Sequence, residues 1–112
     1  MTVTLYHNPR CSKSRQTLGL LEEYGIDLNI IEYLNDPPSA AELKEILALL
    51  AITPADLLRR KEAREAGIDQ SQDDDTLIAA MVANPIVIER PIVVANGQAR
   101  IGRPPESVLE II

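Results

Sequence analysis

The chain contains no phenylalanine and no tryptophan, and Tyr6, Tyr24 and Tyr33 are its only aromatic residues. The core must therefore be aliphatic, and recognition of nucleic acid by base stacking has little to work with. A net charge of −6 repels phosphate backbones, so no nucleic-acid partner is expected without a local basic patch. There is one cysteine, Cys11, and one histidine, His7. That pair excludes an intramolecular disulfide and provides no N/S ligand set for structural zinc, so no metal is expected. No apolar run approaches membrane-spanning length, and the first six residues lack the basic start and apolar stretch of a signal peptide. A cytoplasmic protein with no membrane partner is the expectation. Repeats, low-complexity tracts and Gly/Ser-rich linkers are also missing, and 112 residues suit a single domain over residues 1–112.

What is present is an ordinary globular balance, 46% hydrophobic and 25% charged residues. Val3 and Leu5 alternate with Thr2 and Thr4, a short strand that stops at Asn8-Pro9. A helix is predicted from Cys11 or just after it, with Leu18, Leu21 and Tyr24 on one face and Gly25 as its left-handed stop. Residues 28–33 read as a second strand, and the helix between makes a βαβ unit with parallel strands.

After Pro37-Pro38, Ser39 and Glu42 form a capping-box pattern ahead of Leu43, Ile46, Leu47 and Leu50. Thr53 and Pro54 repeat the start signal for a short helix carrying Leu57, Leu58, Arg59 and Arg60. Residues 70–74 read as a loop, and Asp74 or Asp75 as the cap of a helix with Leu77, Ile78, Met81 and Val82 on one face, ending at Asn84-Pro85. Asn96-Gly97 between strand-forming runs signals a tight hairpin. Pro104 and Pro105 then open a final helix with Val108, Leu109 and Ile112. The order predicts an α/β fold, a mixed sheet flanked by helices with a helical insertion between the βαβ unit and the C-terminal β-hairpin.

Cys11 stands where a strand ends and a helix begins, so unpaired N–H groups of residues 12–15 can face its sulfur or a bound anion. Arg10, Lys13 and Arg15 add positive charge within five positions, which favours the thiolate. Cysteines at such positions reach pKa values of roughly 3.5 to 7.5 against about 8.5 when free. An inert buried thiol would not explain this basic, polar neighbourhood. His7 either orients the loop and tunes the thiol or is a hydrogen-bonded strand-end histidine. Asn8 and Ser14 either serve the anion or close the turn. A phosphatase-type loop needs arginine six positions after the nucleophile, where this chain has Thr17. A dithiol redox motif needs a second cysteine where Ser14 stands, so a thiol from another molecule must resolve any disulfide intermediate.

The run His7-Asn8-Pro9-Arg10-Cys11-Ser12-Lys13-Ser14-Arg15 resembles the active-site loop of glutaredoxin-coupled arsenate reductases. The likeness continues through Tyr33-Leu34-Asn35-Asp36-Pro37-Pro38-Ser39, Leu57-Leu58-Arg59, Asn84-Pro85-Ile86, Arg90-Pro91-Ile92-Val93-Val94 and Arg103-Pro104, covering nearly the whole chain. It implies a thioredoxin-like fold in which Cys11 attacks arsenate, glutathione attacks the arsenic as co-substrate, and glutaredoxin reduces the mixed disulfide, with no bound cofactor. It also implies that Arg59, Arg90 and Arg103 surround the oxyanion, with Ser14 and Arg15 contributing, His7, Asn8 and Arg10 shaping the loop, and Pro91 as the cis-proline. Guanidinium groups suit that task, being permanently charged with forked donors. Arg60 is as eligible as Arg59 by local sequence alone.

Two departures stand out. Ser12-Lys13 replaces the Gly-Thr after the cysteine of the best-known reductases, defining a subgroup with a Cys-Ser-Lys-Ser loop whose substrate can differ, and the chain stops soon after the final predicted helix. Two other functions fit the same site: a monothiol glutathione-dependent oxidoreductase acting on another substrate, and a regulator of the Spx type. The second is disfavoured by the missing partner cysteine.

Overall fold

The computed structural model describes residues 2–112. These cluster into two compact units, one of residues 2–36 with Arg90–Ile112, the other Pro37–Glu89. The second is the predicted helical insertion.

The first unit is built on a four-stranded mixed sheet. Strand β1 (Val3–His7) pairs in parallel with β2 (Leu28–Glu32), in register from Val3 opposite Leu28 to His7 opposite Glu32. On its other side β1 pairs antiparallel with β3 (Ile92–Ala95), and β3 with β4 (Gln98–Ile101), giving the order β2-β1-β3-β4. The predicted hairpin turn is present, with φ of 53° at Asn96 and 70° at Gly97. Strand direction decides where function can lie. The end of β1, the start of β3 and the end of β4 all fall at one end of the sheet, so the segments at Cys11, Arg90 and Arg103 meet there.

Helix α1 (Ser12–Glu23) follows β1 directly and buries Ser14, Thr17 and Leu21. Tyr24, expected on the apolar face, is instead the C-cap and is 61% exposed. The helix ends there because Gly25 takes φ 66°. Gly25 N–H then bonds the Glu22 carbonyl and Ile26 N–H that of Leu21, a Schellman closure after which Ile26 packs against the core. Val3, Leu5, Leu21, Val93, Ala95, Val108 and Ile111 form the aliphatic core of the unit. The last predicted helix is a 3-10 helix over Pro105–Ile111. Three residues per turn align Pro105, Val108 and Ile111 on the buried side, and Ile112, expected within this helix, is its exposed C-cap.

In the second unit, α2 (Ala40–Leu50) carries the reciprocal capping box of Ser39 and Glu42, and buries Leu43, Ile46 and Leu47 with Leu50 partly covered. Helix α3 (Pro54–Leu57) starts with Thr53 as cap and Pro54 in its first turn. It does not continue through Arg60 as the sequence suggests. Leu58 is extended and bridges Ile88, while Arg59 N–H bonds the Val87 carbonyl at 2.7 Å and Glu89 N–H that of Leu57 at 2.8 Å. These tertiary bonds split the segment, and α4 (Arg60–Glu65), which local signals did not reveal, begins after Arg59. Helix α5 (Asp74–Ala83) is capped by Asp73, one residue earlier than expected, through Thr76 N–H at 2.8 Å. It packs against α2 and α3 through Leu77, Ile78 and Met81 and gives way to a 3-10 turn, Pro85–Val87. Among the described residues no helix is long and apolar enough to cross a membrane.

Candidate active site

The turn from β1 into α1 is held by its own polar groups. Cys11 N–H bonds the Asn8 carbonyl at 3.0 Å, and Arg15 N–H bonds the Cys11 carbonyl at 3.0 Å as the first helical bond. Asn8 Oδ1 accepts from Arg10 N–H at 3.0 Å, and Asn8 N–H donates to Ser14 Oγ at 3.0 Å. His7 Nδ1 lies 2.7 Å from the same hydroxyl, and Arg15 Nη1 donates to the Pro9 carbonyl at 2.9 Å. Because Ser14 Oγ already accepts from Asn8, its own proton can go to His7 Nδ1, which leaves the imidazole neutral with hydrogen on Nε2. Burial lowers the His7 pKa below its ordinary value; the Arg15 charge adds to this against the opposing Glu32 carboxylate.

Cys11 occupies the N-cap, where a serine or aspartate oxygen would ordinarily accept from the first-turn N–H groups. The sulfur closes no formal capping bond. Its surroundings still favour the thiolate. Partial burial pushes the thiol pKa up, but the Ser14 N–H, the Arg90 side chain, the Lys13 N–H and the Arg103 charge together outweigh it, and the net direction is down. Arg103 Nη2 lies 3.4 Å from Sγ, while its Nε donates to the Arg90 carbonyl at 2.9 Å. The Arg90–Pro91 and Arg103–Pro104 peptide bonds are both cis.

The structure thus gathers Cys11, Arg90 and Arg103 at the sulfur and places His7, Asn8, Ser14 and Arg15 in the turn beneath it. Of the two roles open to Asn8 and Ser14, their side chains perform the closing one: Asn8 is 2% and Ser14 0% exposed, and it is the Ser14 backbone N–H that acts on sulfur. Arg10 contributes its backbone N–H to the turn and keeps its side chain exposed. Arg59, in the second unit, donates from Nε to Glu62 at 3.1 Å and from Nη1 to Glu89 at 2.7 Å. Burial works against its charge, but the two carboxylates prevail and raise its pKa. Arg60 is exposed. Sequence reasoning missed the two glutamates and the packing of Gly102 against Thr17 and Pro91. Glu62, three residues beyond Arg59, was readable as a helix-neighbour pair; Glu89, thirty residues away, was not.

Such a site can present a sulfur nucleophile to an anion held by guanidinium and backbone N–H donors. The chain as a whole is similar to known proteins in sequence and structure. The model of the ArsC family matches residues 6–111. The chain is 54% identical to Uncharacterized protein YfgD of Escherichia coli K12, over 98% of this chain and 96% of that one. It is 43% identical to the arsenate reductase of Neisseria meningitidis serogroup A, over 98% of this chain and 97% of that one. The solved structure titled arsenate reductase from Vibrio cholerae superposes with a TM-score of 0.90 at 50% identity, covering 100% of this chain and 98% of its own.

Proposed function

This chain belongs to the ArsC family and has its thioredoxin-like fold, and from that premise we propose that it reduces arsenate to arsenite with Cys11 as the nucleophile. The observation that carries the proposal is the convergence of Arg90 and Arg103 on the only thiol of the chain, at the start of a helix. The relatives named arsenate reductase supply the choice of oxyanion.

In this reading the Cys11 thiolate attacks arsenic(V), forming an S–As bond as one oxygen leaves as water. Arg90, Arg103 and the first-turn N–H groups of α1 hold the remaining oxygens. Arg59 is the third guanidinium implied by the resemblance; its two carboxylate partners keep it charged and hold its side chain in one orientation. Arg15 fixes the turn and adds positive potential. The neutral His7 holds Ser14 in place, and with it the N–H group that acts on sulfur. Arsenic(V) gains two electrons on becoming arsenic(III), which two thiols lose on forming one disulfide. Cys11 supplies one thiol, and the chain has no second. Glutathione therefore enters as co-substrate, glutaredoxin reduces the resulting mixed disulfide, and no bound cofactor is required. A cleft of about 260 Å³ lined by Asn8, Pro9, Arg10, Glu32, Leu34 and Asn35 leaves the turn open to solvent beside the sheet edge. A cytoplasmic, glutathione-containing compartment suits this chemistry.

The test is reconstitution with arsenate, glutathione and glutaredoxin, measuring arsenite. Turnover that disappears in Cys11→Ser and without glutathione is the expected result. No arsenite from folded protein whose Cys11 reacts readily with an alkylating probe would overturn the assignment of substrate and reductant.

A further inference from the structure

Gly102 is a glycine for a reason different from that of its counterparts. Gly25, Gly67 and Gly97 have positive φ, and Gly19 has open space where a side chain would go. Gly102 is buried and outside the left-handed region, so backbone freedom does not account for it. A Cβ there would lie 2.5 Å from Thr17 Oγ1 and 2.7 Å from Pro91 Cγ, closer than real Cβ contacts allow. One neighbour is a proline ring. The other is a hydroxyl tied to the Lys13 carbonyl at 2.9 Å, so neither moves aside freely.

Two further bonds fasten the same point. Gly102 N–H donates to the Pro91 carbonyl at 2.9 Å, and Arg103 N–H donates to that of Ile101 at 2.9 Å. The next side chain is Arg103, whose guanidinium spans from the Arg90 carbonyl to the Cys11 sulfur. Thr17 lies six residues beyond Cys11, about 9 Å along the helix axis at 1.5 Å per residue. The end of β4 therefore rests on the flank of α1, and the Arg103 side chain runs back from that resting point toward the helix start.

We propose that Gly102 is a positioning residue, its missing side chain letting the chain settle against Thr17 and Pro91 at the depth from which Arg103 reaches the sulfur of Cys11. The inference rests on reading Cys11 as the nucleophile. A methyl group at position 102 must lift the β4 end from the Thr17 hydroxyl and the Pro91 ring, and that change moves Arg103 relative to a contact of only 3.4 Å. The helix N–H groups and Arg90 stay in place, so the sulfur loses one cation and keeps the rest.

The experiment is the pH profile of Cys11 alkylation in wild type, Gly102→Ala and Thr17→Ala, each repeated in an Arg103→Ala background, with far-ultraviolet circular dichroism verifying the fold. Gly102→Ala should raise the midpoint by about one pH unit, the order expected for loss of one close opposite charge, and Thr17→Ala should raise it by less. Neither should add anything once Arg103 is alanine, a non-additivity that general loosening would not produce. A wild-type midpoint at the free-thiol value of about 8.5 would instead defeat the nucleophile reading itself. With a depressed wild-type midpoint, unchanged midpoints in the folded variants, or equal rises with and without Arg103, overturn the positioning role. Thr17→Ala exchanges a helix residue for a better helix former. It decides the question by the same criteria if Gly102→Ala does not fold.

Discussion

Arg103 approaches the sulfur of Cys11 to 3.4 Å from 92 residues further along the chain, while its Nε grips the carbonyl of Arg90 at 2.9 Å. One guanidinium thus ties the end of β4 to the start of β3 and faces the thiol of Cys11. Its charge and the Arg90 donor come from far along the chain, and the Lys13 and Ser14 N–H groups from the residues just after the cysteine. The site is assembled by the sheet rather than by the loop alone.

Cys11 should react with alkylating reagents at a midpoint below the ordinary thiol range, and arsenate should slow the reaction by occupying the anion cradle. For stability the sign follows from the depressed folded pKa. Ionised Cys11 contributes above the unfolded value of about 8.5 and loses that contribution as pH falls through the folded value. Denaturant melts of wild type and Cys11→Ser should therefore diverge toward alkaline pH. Parallel curves would contradict the electrostatics described.

His7 is held neutral by burial, so its folded pKa is below 6.5. The unfolded chain then binds more protons in the window just below that value, and stability falls as pH drops through it. Unfolding midpoints measured from pH 7 to pH 5 should decline more in wild type than in His7→Asn. Identical slopes would show that the ring ionises equally in both states.

Glu89→Gln removes one of the two carboxylates holding Arg59, a pair about one quarter exposed on each side. The cost should be about 1 kcal/mol, well short of the 3–5 kcal/mol seen when a fully buried pair is broken. Urea unfolding measures it directly. A loss above 3 kcal/mol would mean that Arg59 depends on Glu89 far more than its accessibility suggests.

Leu21 and Tyr24 both looked like core positions of α1, and the structure separates them. Leu21→Ala should destabilise by about 2–5 kcal/mol, since the side chain is fully enclosed in the aliphatic core. Tyr24→Ala, beyond the last helical turn and 61% exposed, should stay within about 0.5 kcal/mol. Comparable losses would place Tyr24 back in the core.

Features with a local physical cause were readable in advance. The Ser39 and Glu42 capping box, the Asn96-Gly97 turn, the Gly25 stop and the start of α1 at Cys11 each depend on residues within a few positions of one another. Misreadings arose where distant bonds overrode local preference. The backbone bonds from Arg59 to Val87 and from Glu89 to Leu57 split the expected helix in two, and no pattern near Arg60 announces them. The last helix takes 3-10 geometry over Pro105–Ile111 and buries Ile111, while Ile112, expected within it, caps its end.

The amino-acid order alone was enough to place a lone thiol at a strand-to-helix turn among cations, because cap geometry and neighbouring charge act over one or two helical turns. Tertiary structure decided which arginines touch the sulfur and which are held by glutamates. That choice depends on strand order and on the close approach of Gly102 to α1, and contacts between residues 92 positions apart leave no local trace.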